Sequence, residues 1–363
     1  MRPDRYPLAP GSVIGILGGG QLGRMTAMAA ARLGFDVAVL DPETGAPAAR
    51  LASHVIVAPY DDPEALARLA DVSDVITFEF ENVPAGAIEF LGKRGAEVAP
   101  TGRALAIAQD RLAEKQFLGE AGAPTVAFAQ VDSPADIVAA LEKLGRPLLI
   151  KSRRGGYDGK GQAWVEHASE AAAVFAAVGA QPSIAESPAD FRRELSVIAA
   201  RGRDGEIALY PLAENHHADG ILRRTVAPAK AAPTILGQAE RIAATLLAAL
   251  DYVGVIAVEL FERDDGRLLV NEFAPRVHNS GHWTLDGCEV DQFEQHIRAI
   301  AGWPLGPTHA VARVEMTNLI GEEVSEWRRL SAEPETRLWL YGKAEARPGR
   351  KMGHVNRLTP LRG

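Results

Sequence analysis

Cysteine is nearly absent from the sequence. Cys288 is the only one among 363 residues, so no disulfide can form within the chain, which favours a reducing compartment. Long hydrophobic runs are lacking as well. The most apolar stretch, residues 242–261, is interrupted by Asp251 and Glu259, and it falls short of the ~18 uninterrupted apolar residues that a membrane span needs. The sequence therefore predicts a cytoplasmic protein that does not enter a membrane.

Positive charge is scarce relative to negative charge. The 39 Lys and Arg residues stand against 47 Asp and Glu residues, which gives a formal net charge of −8. Proteins that coat nucleic acid need a basic surface to replace phosphate counterions, so we expect no nucleic-acid partner. Hydrophobic residues make up 47% of the chain, which is ordinary for a folded protein and excludes global disorder.

The order of apolar runs and helical segments predicts two to three domains, as does the chain length. Residues 1–11 lack the apolar segment of a signal peptide and are interpreted as an extension. Residues 12–103 begin with a strand–turn–helix–strand unit, which is typical of a Rossmann-like α/β domain. Residues 104–303 begin with one helix over 104–121 and continue as an α+β domain. Residues 304–363 predict a small C-terminal β subdomain.

A glycine-rich turn joins the first predicted strand to the first predicted helix. Gly18, Gly20 and Gly23 form a G-x-G-x-x-G pattern, and Asp41 ends the next strand at about the distance of a ribose ligand. Glycines let backbone N–H groups approach a phosphate, and the helix N-terminus adds partial positive charge. The pattern indicates an anion site. An NAD-dependent oxidoreductase and a merely structural turn remain alternatives.

Two carboxylates follow the fourth predicted strand. Glu79 and Glu81 alternate along it and are expected on one face at its carboxyl end, where ligands collect in open α/β sheets. An exposed acidic edge explains the same pattern equally well.

A lysine and a glycine-rich segment follow another apolar strand. Lys151 precedes Ser-Arg-Arg-Gly-Gly-Tyr-Asp-Gly-Lys-Gly over residues 152–161. This is not a P-loop, because Arg154 stands where its first glycine belongs and Gly161 replaces the Ser or Thr that binds magnesium. A glycine-rich flap with lysines can fold over phosphates. The alternative is an ordinary hairpin tip.

A second acidic pair is predicted from a hairpin. Asp265-Gly266 between two β-rich runs favours a two-residue turn, and pairing outward from it sets Glu259 opposite Glu272. Their Cβ atoms would then be about 4.5–5.5 Å apart, and opposed like charges are destabilising. A divalent cation would turn this repulsion into coordination. A site with only two carboxylate ligands suits Mg²⁺, whose coordination nucleotide phosphates would complete. The alternative is a carboxyl pair that shares one proton.

The loop after this hairpin is dense in side chains that bind anions. Arg276, His278, Asn279, Ser280 and His282 lie within seven residues, so the loop is predicted to belong to a functional site. By contrast, the paired histidines at 216–217 are interpreted as solvated residues of a turn.

Together these motifs resemble the ATP-grasp superfamily and, within it, the N5-carboxyaminoimidazole ribonucleotide synthetases of purine biosynthesis. The resemblance implies a Rossmann-like pre-ATP-grasp domain, an ATP-grasp domain with a lid over about 125–190, and a C-terminal subdomain. It also implies a carbon–nitrogen ligase that converts ATP, bicarbonate and 5-aminoimidazole ribonucleotide to the N5-carboxylated product through carboxyphosphate. A homodimer is implied as well. The matching segments are residues 18–25, 78–83, 155–161, 271–282, 341–343 and 347–354.

The resemblance implies ATP and Mg²⁺ as cofactors, with Mg²⁺ bound by Glu259 and Glu272. Residues 186–189 would read adenine through the backbone, although Pro188 has no N–H to donate. The implied ATP-binding residues are Arg111, Lys151, Gly155, Gly156, Tyr157, Asp158, Gly159, Lys160, Gly161, Glu186, Ser187, Pro188, Ala189, Glu194, His217, Asn271 and Glu272.

The resemblance also implies which residues bind 5-aminoimidazole ribonucleotide and which act on bicarbonate. The implied catalytic residues are Lys151, Arg276 and His278. The implied substrate-binding residues are Gly20, Gln21 and Leu22 at the phosphate, with Glu79, Tyr157, Asp158, Arg276, His278, Lys351 and Arg357 around the rest. A phosphoribosyl transformylase that uses formate is the nearest alternative within the superfamily.

Overall fold

The computed structural model describes residues 5–155 and 161–361, which form three β-sheets with helices packed on them. The first sheet is parallel, as the apolar runs separated by helical segments predict. Its strands are β1 (Val13–Leu17), β2 (Asp36–Asp41), β3 (His54–Val57) and β4 (Val75–Phe78), in the order β3-β2-β1-β4. Its helices are α1 (Gln21–Arg32), a 3₁₀ turn (Pro47–Leu51), α2 (Pro63–Val72) and α3 (Ala85–Lys93).

Two helices follow where a single one over residues 104–121 was predicted. They are α4 (Gly102–Ala108) and α5 (Arg111–Glu120), and the prediction of one helix is wrong. Asp110 interrupts the helical pattern because its carboxylate accepts hydrogen bonds from the N–H groups of Leu112 and Ala113 and so caps a new helix. The break places Arg111 in the first turn of α5.

The second sheet is antiparallel and carries its own small core. The apolar side chains of Val131, Ile137, Leu148 and Ile150 are buried between it and its helices. Its strands are β5 (Phe128–Val131), β6 (Leu148–Ser152), β7 (Gln162–Val165) and β8 (Ser183–Glu186), in the order β5-β8-β6-β7. Its helices are α6 (Pro134–Leu144), a 3₁₀ turn (Ala168–Glu170) and α7 (Ala171–Ala177).

The third sheet has nine strands and includes the C-terminal strands, which extend it rather than form a sheet of their own. Its strands are β9 (Arg193–Arg201), β10 (Ile207–Leu209), β11 (Ala213–Ala218), β12 (Ile221–Ala227), β13 (Gly254–Glu262), β14 (Leu268–Ala274), β15 (Ala312–Ile320), β16 (Thr336–Leu340) and β17 (Lys351–Pro360). Their order is β14-β13-β9-β11-β12-β15-β17-β16, and β10 pairs with β9. The helices are α8 (Pro233–Ala249), α9 (Thr284–Gly287), α10 (Gln292–Ala301) and α11 (Trp327–Ala332), with 3₁₀ turns at Asn279–Gly281 and Gly321–Glu326.

The paired histidines at 216–217 lie on β11 and not in a turn. The turn between β11 and β12 is formed by the next residues, Asp219 and Gly220, which both have positive φ angles, 51° and 75°. Such a two-residue turn matches the twist of a hairpin. The interpretation of the histidines as turn residues is therefore wrong.

His296 joins the first sheet to the third. Its Nε2 atom lies 2.8 Å from Thr77 Oγ1 on β4, and its Nδ1 atom accepts a hydrogen bond from the N–H of Val255 on β13. Burial lowers the pKa of His296 to about 4, so the imidazole stays neutral in the folded protein. No helix in the described ranges is long and apolar enough to cross a membrane.

This neutral histidine predicts how stability depends on pH. Because the unfolded chain binds a proton at His296 near pH 6.5 and the folded chain binds it only near pH 4, stability is lost as the pH falls between these values. We expect His296 to contribute about 3 kcal/mol of this loss. The free energy of unfolding is measured with urea at pH 6.5, 5.5 and 4.5. It should fall less steeply with decreasing pH in His296→Gln than in the parent, whereas His309→Gln, at an exposed position, should match the parent. Equal slopes for both variants would contradict the assignment.

Candidate active site

The hairpin of β13 and β14 brings two glutamates together. Glu259 lies opposite Glu272, which confirms the predicted pairing. The predicted two-residue turn is wrong, however. The N–H of Arg263 donates to the carbonyl of Arg267 across a three-residue loop, and Gly266 adopts a φ of 76° there. Asp-Gly provides the left-handed residue of this longer loop as readily as it forms a shorter turn.

A β-bulge restores the register that the longer loop would shift. Leu260 pairs with Val270, but the next pair is Glu259 with Glu272, so Asn271 is an extra residue on β14. A bulge of this kind places two residues of one strand against one of the other. The acidic pair therefore depends on two features, the loop and the bulge, whose effects on the register cancel.

The two carboxylates differ in their electrostatic surroundings. Burial, followed by the charge of Glu272, raises the pKa of Glu259 to about 7. Burial would also raise the pKa of Glu272, but Arg111, whose guanidinium donates a 2.7 Å hydrogen bond to Glu272 Oε2, holds that pKa below its ordinary value. The repulsion predicted from the sequence is therefore present, and it is only partly relieved by Arg111.

The pair fits a magnesium ion as part of a larger ligand set. Two carboxylates are hard oxygen ligands, and the side chain of Asn271 is adjacent in sequence. The described residues contain no group of three or more His, Cys, Asp or Glu side chains that could hold a metal. These two carboxylates would therefore need further oxygen atoms, from phosphates or water, to complete the coordination of Mg²⁺.

Two lysines converge on one buried glutamate at the end of β8. Lys151 Nζ lies 2.6 Å from Glu186 Oε2, and Lys115 Nζ lies 3.4 Å from Glu186 Oε1. Burial would raise the pKa of Glu186, but the two lysines hold it below its ordinary value. The sequence analysis missed Lys115, although its position four residues after Arg111 on a helix puts both cations on one face.

The two ends of the glycine-rich segment lie next to each other. The N–H of Ser152 donates to the carbonyl of Gly161, and both Gly155 and Gly161 have φ angles near 70°. These contacts lie next to Lys151 on β6. Five residues with predicted roles lie outside the described residues: Gly156, Tyr157, Asp158, Gly159 and Lys160.

The residues implied at adenine and ribose lie after β8 and on the neighbouring sheet. The N–H of Ser187 donates to the carbonyl of Ala127, and Pro188 and Ala189 follow it outside any strand. Glu194 on β9 and His217 on β11 face each other, with 2.6 Å between Oε2 and Nδ1. Burial would lower the pKa of His217, but Glu194 raises it. The structure thus brings the two residues together as a charged pair.

Glu79 accounts for the glycines of the first turn. Its carboxylate accepts hydrogen bonds of 2.9 Å from the N–H groups of Gly20 and Gly23 at the start of α1. A Cβ atom at Gly18 or Gly20 would lie 2.7 Å from Glu79 atoms, so larger residues do not fit. A protein carboxylate thus occupies two N–H groups of the predicted anion site. Gln21 and Leu22 are the first residues of α1.

Asp41 is likewise engaged by the protein itself. Its carboxylate accepts hydrogen bonds from the N–H groups of Gly19 and Glu43 and from the hydroxyl of Tyr60. A ribose ligand would have to break these contacts. The geometry therefore disfavours the alternative of an NAD-dependent oxidoreductase, which relied on Asp41.

Arg276 and His278 are the residues of the polar loop that pair with glutamates. Arg276 forms a 2.7 Å ion pair with Glu81, and its buried Nε atom has no hydrogen-bond partner in the described part of the chain. His278 Nε2 lies 3.4 Å from Glu259 Oε1. Burial, assisted by the charge of Arg276, lowers the pKa of His278 well below its ordinary value. A neutral imidazole therefore lies beside Glu259, and Arg276 carries a spare N–H donor next to its ion pair with Glu81.

The other polar residues of this loop belong to the interior. Asn279 exchanges two hydrogen bonds with Asn318, at 3.0 and 2.7 Å. His282 is fully buried against the ring of His354, with 4.8 Å between the ring centroids. The expectation that the whole loop binds anions is therefore wrong for these two residues, whose partners on β15 and β17 are distant in sequence.

Two lysines at the start of the C-terminal region lie close together. Lys343 Nζ donates a 2.8 Å hydrogen bond to the carbonyl of Lys351, the first residue of β17. Burial, followed by the charge of Arg350, lowers the pKa of Lys343 to about 8, and the charge of Glu79 opposes this shift. Lys343 was missed as a site residue, although its segment was among those quoted for the resemblance.

Arg357 lies away from this cluster. It is six residues beyond Lys351 on β17, which corresponds to about 20 Å along a strand. Its guanidinium forms a 3.0 Å ion pair with Glu333. The structure therefore does not bring Arg357 to the residues with which it was grouped.

Family models match most of the chain in consecutive segments. The ribonucleotide synthetase preATP-grasp domain matches residues 12–109, and the ATP-grasp domain matches residues 116–293. The phosphoribosylaminoimidazole carboxylase C-terminal domain matches residues 315–361. The predicted fold class, a Rossmann-like pre-ATP-grasp domain followed by an ATP-grasp domain and a C-terminal β unit, is confirmed.

Relatives match over nearly the full length. The N5-carboxyaminoimidazole ribonucleotide synthase of Brucella melitensis is 52% identical over 359 residues, 98% of this chain and 99% of that protein. The Pseudomonas aeruginosa enzyme of that name is 47% identical over 94% of this chain and 93% of its own. An N5-carboxyaminoimidazole ribonucleotide synthetase crystallised with ADP is similar in structure, with a TM-score of 0.93, 41% identity and coverage of 97% and 93%.

A further solved structure is that of the Aspergillus clavatus synthase in complex with ADP and 5-aminoimidazole ribonucleotide. It has a TM-score of 0.90 and 32% identity, and the match covers 97% of this chain and 94% of that one. Sequence, domain order and fold agree over nearly the full chain. The chain therefore belongs to the N5-carboxyaminoimidazole ribonucleotide synthase family of ATP-grasp enzymes.

Proposed function

We propose that this protein uses ATP and bicarbonate to carboxylate the exocyclic amine of 5-aminoimidazole ribonucleotide, with release of ADP and phosphate, in purine biosynthesis. The observation that carries the proposal is the site around Glu259 and Glu272. It combines cations for a polyphosphate, a carboxylate pair and, at Arg276 and His278, neutral and cationic donors for a small anion. Family membership supports the choice of substrates.

The residues around Glu186 are suited to hold the nucleotide. Lys151 lies at the start of the glycine-rich segment, so its ammonium group would reach the phosphates once ATP competes with Glu186 for it. Arg111 would hold a phosphate oxygen while remaining paired with Glu272. Mg²⁺ held by Glu259 and Glu272, with Asn271 beside them, would neutralise charge on the phosphates. We propose residues 155–161, 186–189, Glu194 and His217 as the remaining nucleotide contacts.

Arg276 and His278 are suited to orient bicarbonate. The free Nε–H of Arg276 can donate to one bicarbonate oxygen. In neutral His278 the Nδ1 atom accepts from the N–H of Ser280, so the Nε2–H can donate to another oxygen. A bicarbonate oxygen attacks the γ-phosphorus, the bond from this phosphorus to the β–γ bridging oxygen breaks, and ADP leaves. In one route the amine nitrogen attacks the carboxyl carbon of carboxyphosphate, and the carbon–oxygen bond to phosphate breaks as phosphate leaves. In the other route this bond breaks first, and the amine attacks the CO₂ that is released. In both routes the amine loses a proton.

The lysine cluster at Lys343 and Lys351 is suited to the ribonucleotide phosphate, together with the N–H groups of Gln21 and Leu22, which lie between the two that Glu79 binds. We expect Lys343→Met to raise the KM for 5-aminoimidazole ribonucleotide about tenfold or more, since a charge-assisted contact to phosphate is lost. The KM for ATP should change less than about twofold. Initial rates measured with each substrate varied separately would test this. Lys230→Met, at an exposed position, is the control, and an unchanged ribonucleotide KM in Lys343→Met would contradict the role.

Formate and bicarbonate distinguish the proposal from a transformylase. With ATP, the ribonucleotide and ¹³C-bicarbonate, NMR should show the label in a carbamate carbon bonded to nitrogen. With ¹³C-formate in place of bicarbonate, no labelled product should form. Incorporation of formate but not bicarbonate would overturn the proposed carboxylation and favour the transformylase.

We also propose the domain limits 12–103, 104–303 with a lid near 125–190, and 304–363, and a cytosolic homodimer. The separate core of the β5–β8 sheet supports the lid. Light scattering after gel filtration should give twice the 38.7 kDa of one chain.

A further inference from the structure

Strand β14 carries Glu272 at the edge of the third sheet. An edge strand presents unpaired N–H and C=O groups on its outer side, and these groups need partners when they are buried. On β14 one partner is main chain: the N–H of Val270 donates to the carbonyl of Pro124 at 2.7 Å. The next outward groups, at Asn271 and Phe273, are instead bound by side chains.

Those side chains come from α5. Lys115 Nζ donates a 2.8 Å hydrogen bond to the carbonyl of Asn271, and Glu114 Oε1 accepts a 2.7 Å hydrogen bond from the N–H of Phe273. Both side chains are 2% exposed. Between these two contacts lies Glu272, whose carboxylate is bound by Arg111 of the same helix. One helix face thus binds three consecutive residues of the strand.

The bulge at Asn271 decides which way Glu272 points. Leu268 and Val270 on one side of the bulge and Phe273 on the other belong to the same apolar cluster, under α8. In a regular strand only every second residue lies on a given face. Leu268 and Val270 follow this spacing, but Phe273 comes three residues after Val270, so one extra residue must lie between them. Without it, Glu272 would stand opposite Val258, which lies in that apolar cluster, and would point away from Glu259.

We propose that Glu114 and Lys115 are positioning residues, which hold the bulge of β14 and thereby keep Glu272 facing Glu259. This inference rests on the proposed function for the use of the acidic pair in metal-dependent nucleotide binding. The contacts themselves do not depend on it. Neither residue is among those assigned above to the substrates. Both bind the main chain of β14, and Lys115 also pairs with Glu186.

The test compares Glu114→Met, which removes the acceptor, with Glu114→Gln, which keeps an oxygen at the same place. Glu120→Met, at an exposed position of α5, is the matched control. Hydrogen exchange by mass spectrometry is measured on the protein without ligands. In Glu114→Met, amides of residues 268–274 should exchange about tenfold faster or more, because the buried hydrogen bond from the N–H of Phe273 to the Glu114 carboxyl is lost. Exchange of the β9 amides in Glu114→Met should match the parent. In Glu114→Gln and Glu120→Met, residues 268–274 should also exchange as in the parent.

A second measurement connects the bulge to the site. ADP affinity is measured by calorimetry with and without Mg²⁺. The gain in affinity from Mg²⁺ should fall about tenfold in Glu114→Met, while the affinity for ADP alone changes less than about twofold. Glu114→Gln should restore the gain. An unchanged gain in Glu114→Met, or an equal loss in Glu114→Gln, would overturn the inference.

Two outcomes separate this inference from the proposed function. If the parent protein shows no effect of Mg²⁺ on ADP binding, the proposed metal site is wrong, and the exchange measurement alone decides whether α5 holds the bulge. If Glu114→Met does not fold, Lys115→Met replaces it in the exchange measurement, with the same expected increase over residues 268–274. Unchanged exchange in a folded Lys115→Met protein would overturn the inference.

Discussion

Replacement of Glu272 with glutamine is expected to lower turnover at least about a hundredfold while the fold stays intact. Glutamine keeps the shape of the side chain but removes one of the two charges that face each other on β13 and β14. It also removes the negative charge with which the guanidinium of Arg111 pairs at 2.7 Å. Steady-state release of ADP measures the effect, and circular dichroism checks the fold.

The control for this variant is on the same hairpin. Asp264→Asn changes an exposed carboxylate in the loop between the strands and should leave turnover within about twofold of the parent. In Glu272→Gln, by contrast, the pKa of Glu259 should fall, because the charge of Glu272 helps to raise it. Near-normal turnover in Glu272→Gln would contradict the shared metal site.

Replacement of Lys151 with methionine is expected to reduce kcat by about a hundredfold to a thousandfold. Methionine keeps much of the length of the side chain but removes the cation that directly precedes the glycine-rich segment. Glu186 remains paired with Lys115, so no buried carboxylate is left without a cation. The loss should therefore appear in catalysis rather than in stability. Single-turnover rates of ADP formation, measured with a thermal melt, separate the two.

Lys143→Met is the matched control, since Lys143 is exposed on α6 beside the same sheet. It should leave kcat and melting temperature unchanged. If Lys151→Met instead lowers the melting temperature and leaves the single-turnover rate intact, Lys151 serves the fold and not the transfer of phosphate.

The acidic pair shows how far the sequence can be read. Two apolar runs joined by Asp-Gly predict the hairpin, and the pairing of Glu259 with Glu272 is correct. The loop length could not be predicted, because Asp-Gly is compatible with both a two-residue and a three-residue loop. The bulge at Asn271 could not be predicted either, because the side chains that bind the main chain there belong to α5, about 150 residues earlier in the chain. The two departures cancel, so a simplified hairpin leads to the right pair.

The glycines of the first turn show the limit of motif reasoning. Their pattern predicts a turn that admits an anion at a helix N-terminus, and such a turn is present. Two of its N–H groups, those of Gly20 and Gly23, bind the carboxylate of Glu79, which lies 59 residues after Gly20. The residue type alone could not distinguish a protein carboxylate from a ligand phosphate, because both accept the same N–H hydrogen bonds.

Lys115 and Lys343 were missed for a related reason. Each lies in a segment with ordinary helical or loop composition, and its role arises from residues far away: Glu186 for Lys115, and the neighbourhood of Lys351 and Glu79 for Lys343. Helical spacing from Arg111 was the one local signal for Lys115. Conversely, His282 looked like a site residue, and only the fold shows that it is interior.

ADP formation with substrates withheld in turn tests the proposed carboxylation most directly. With ATP and Mg²⁺ present, rapid ADP release is expected only when bicarbonate and 5-aminoimidazole ribonucleotide are both added. Omission of either should lower the rate at least about tenfold, since the closed site excludes water from the phosphates. An ADP rate that does not respond to the ribonucleotide and bicarbonate, alone or together, would contradict the account.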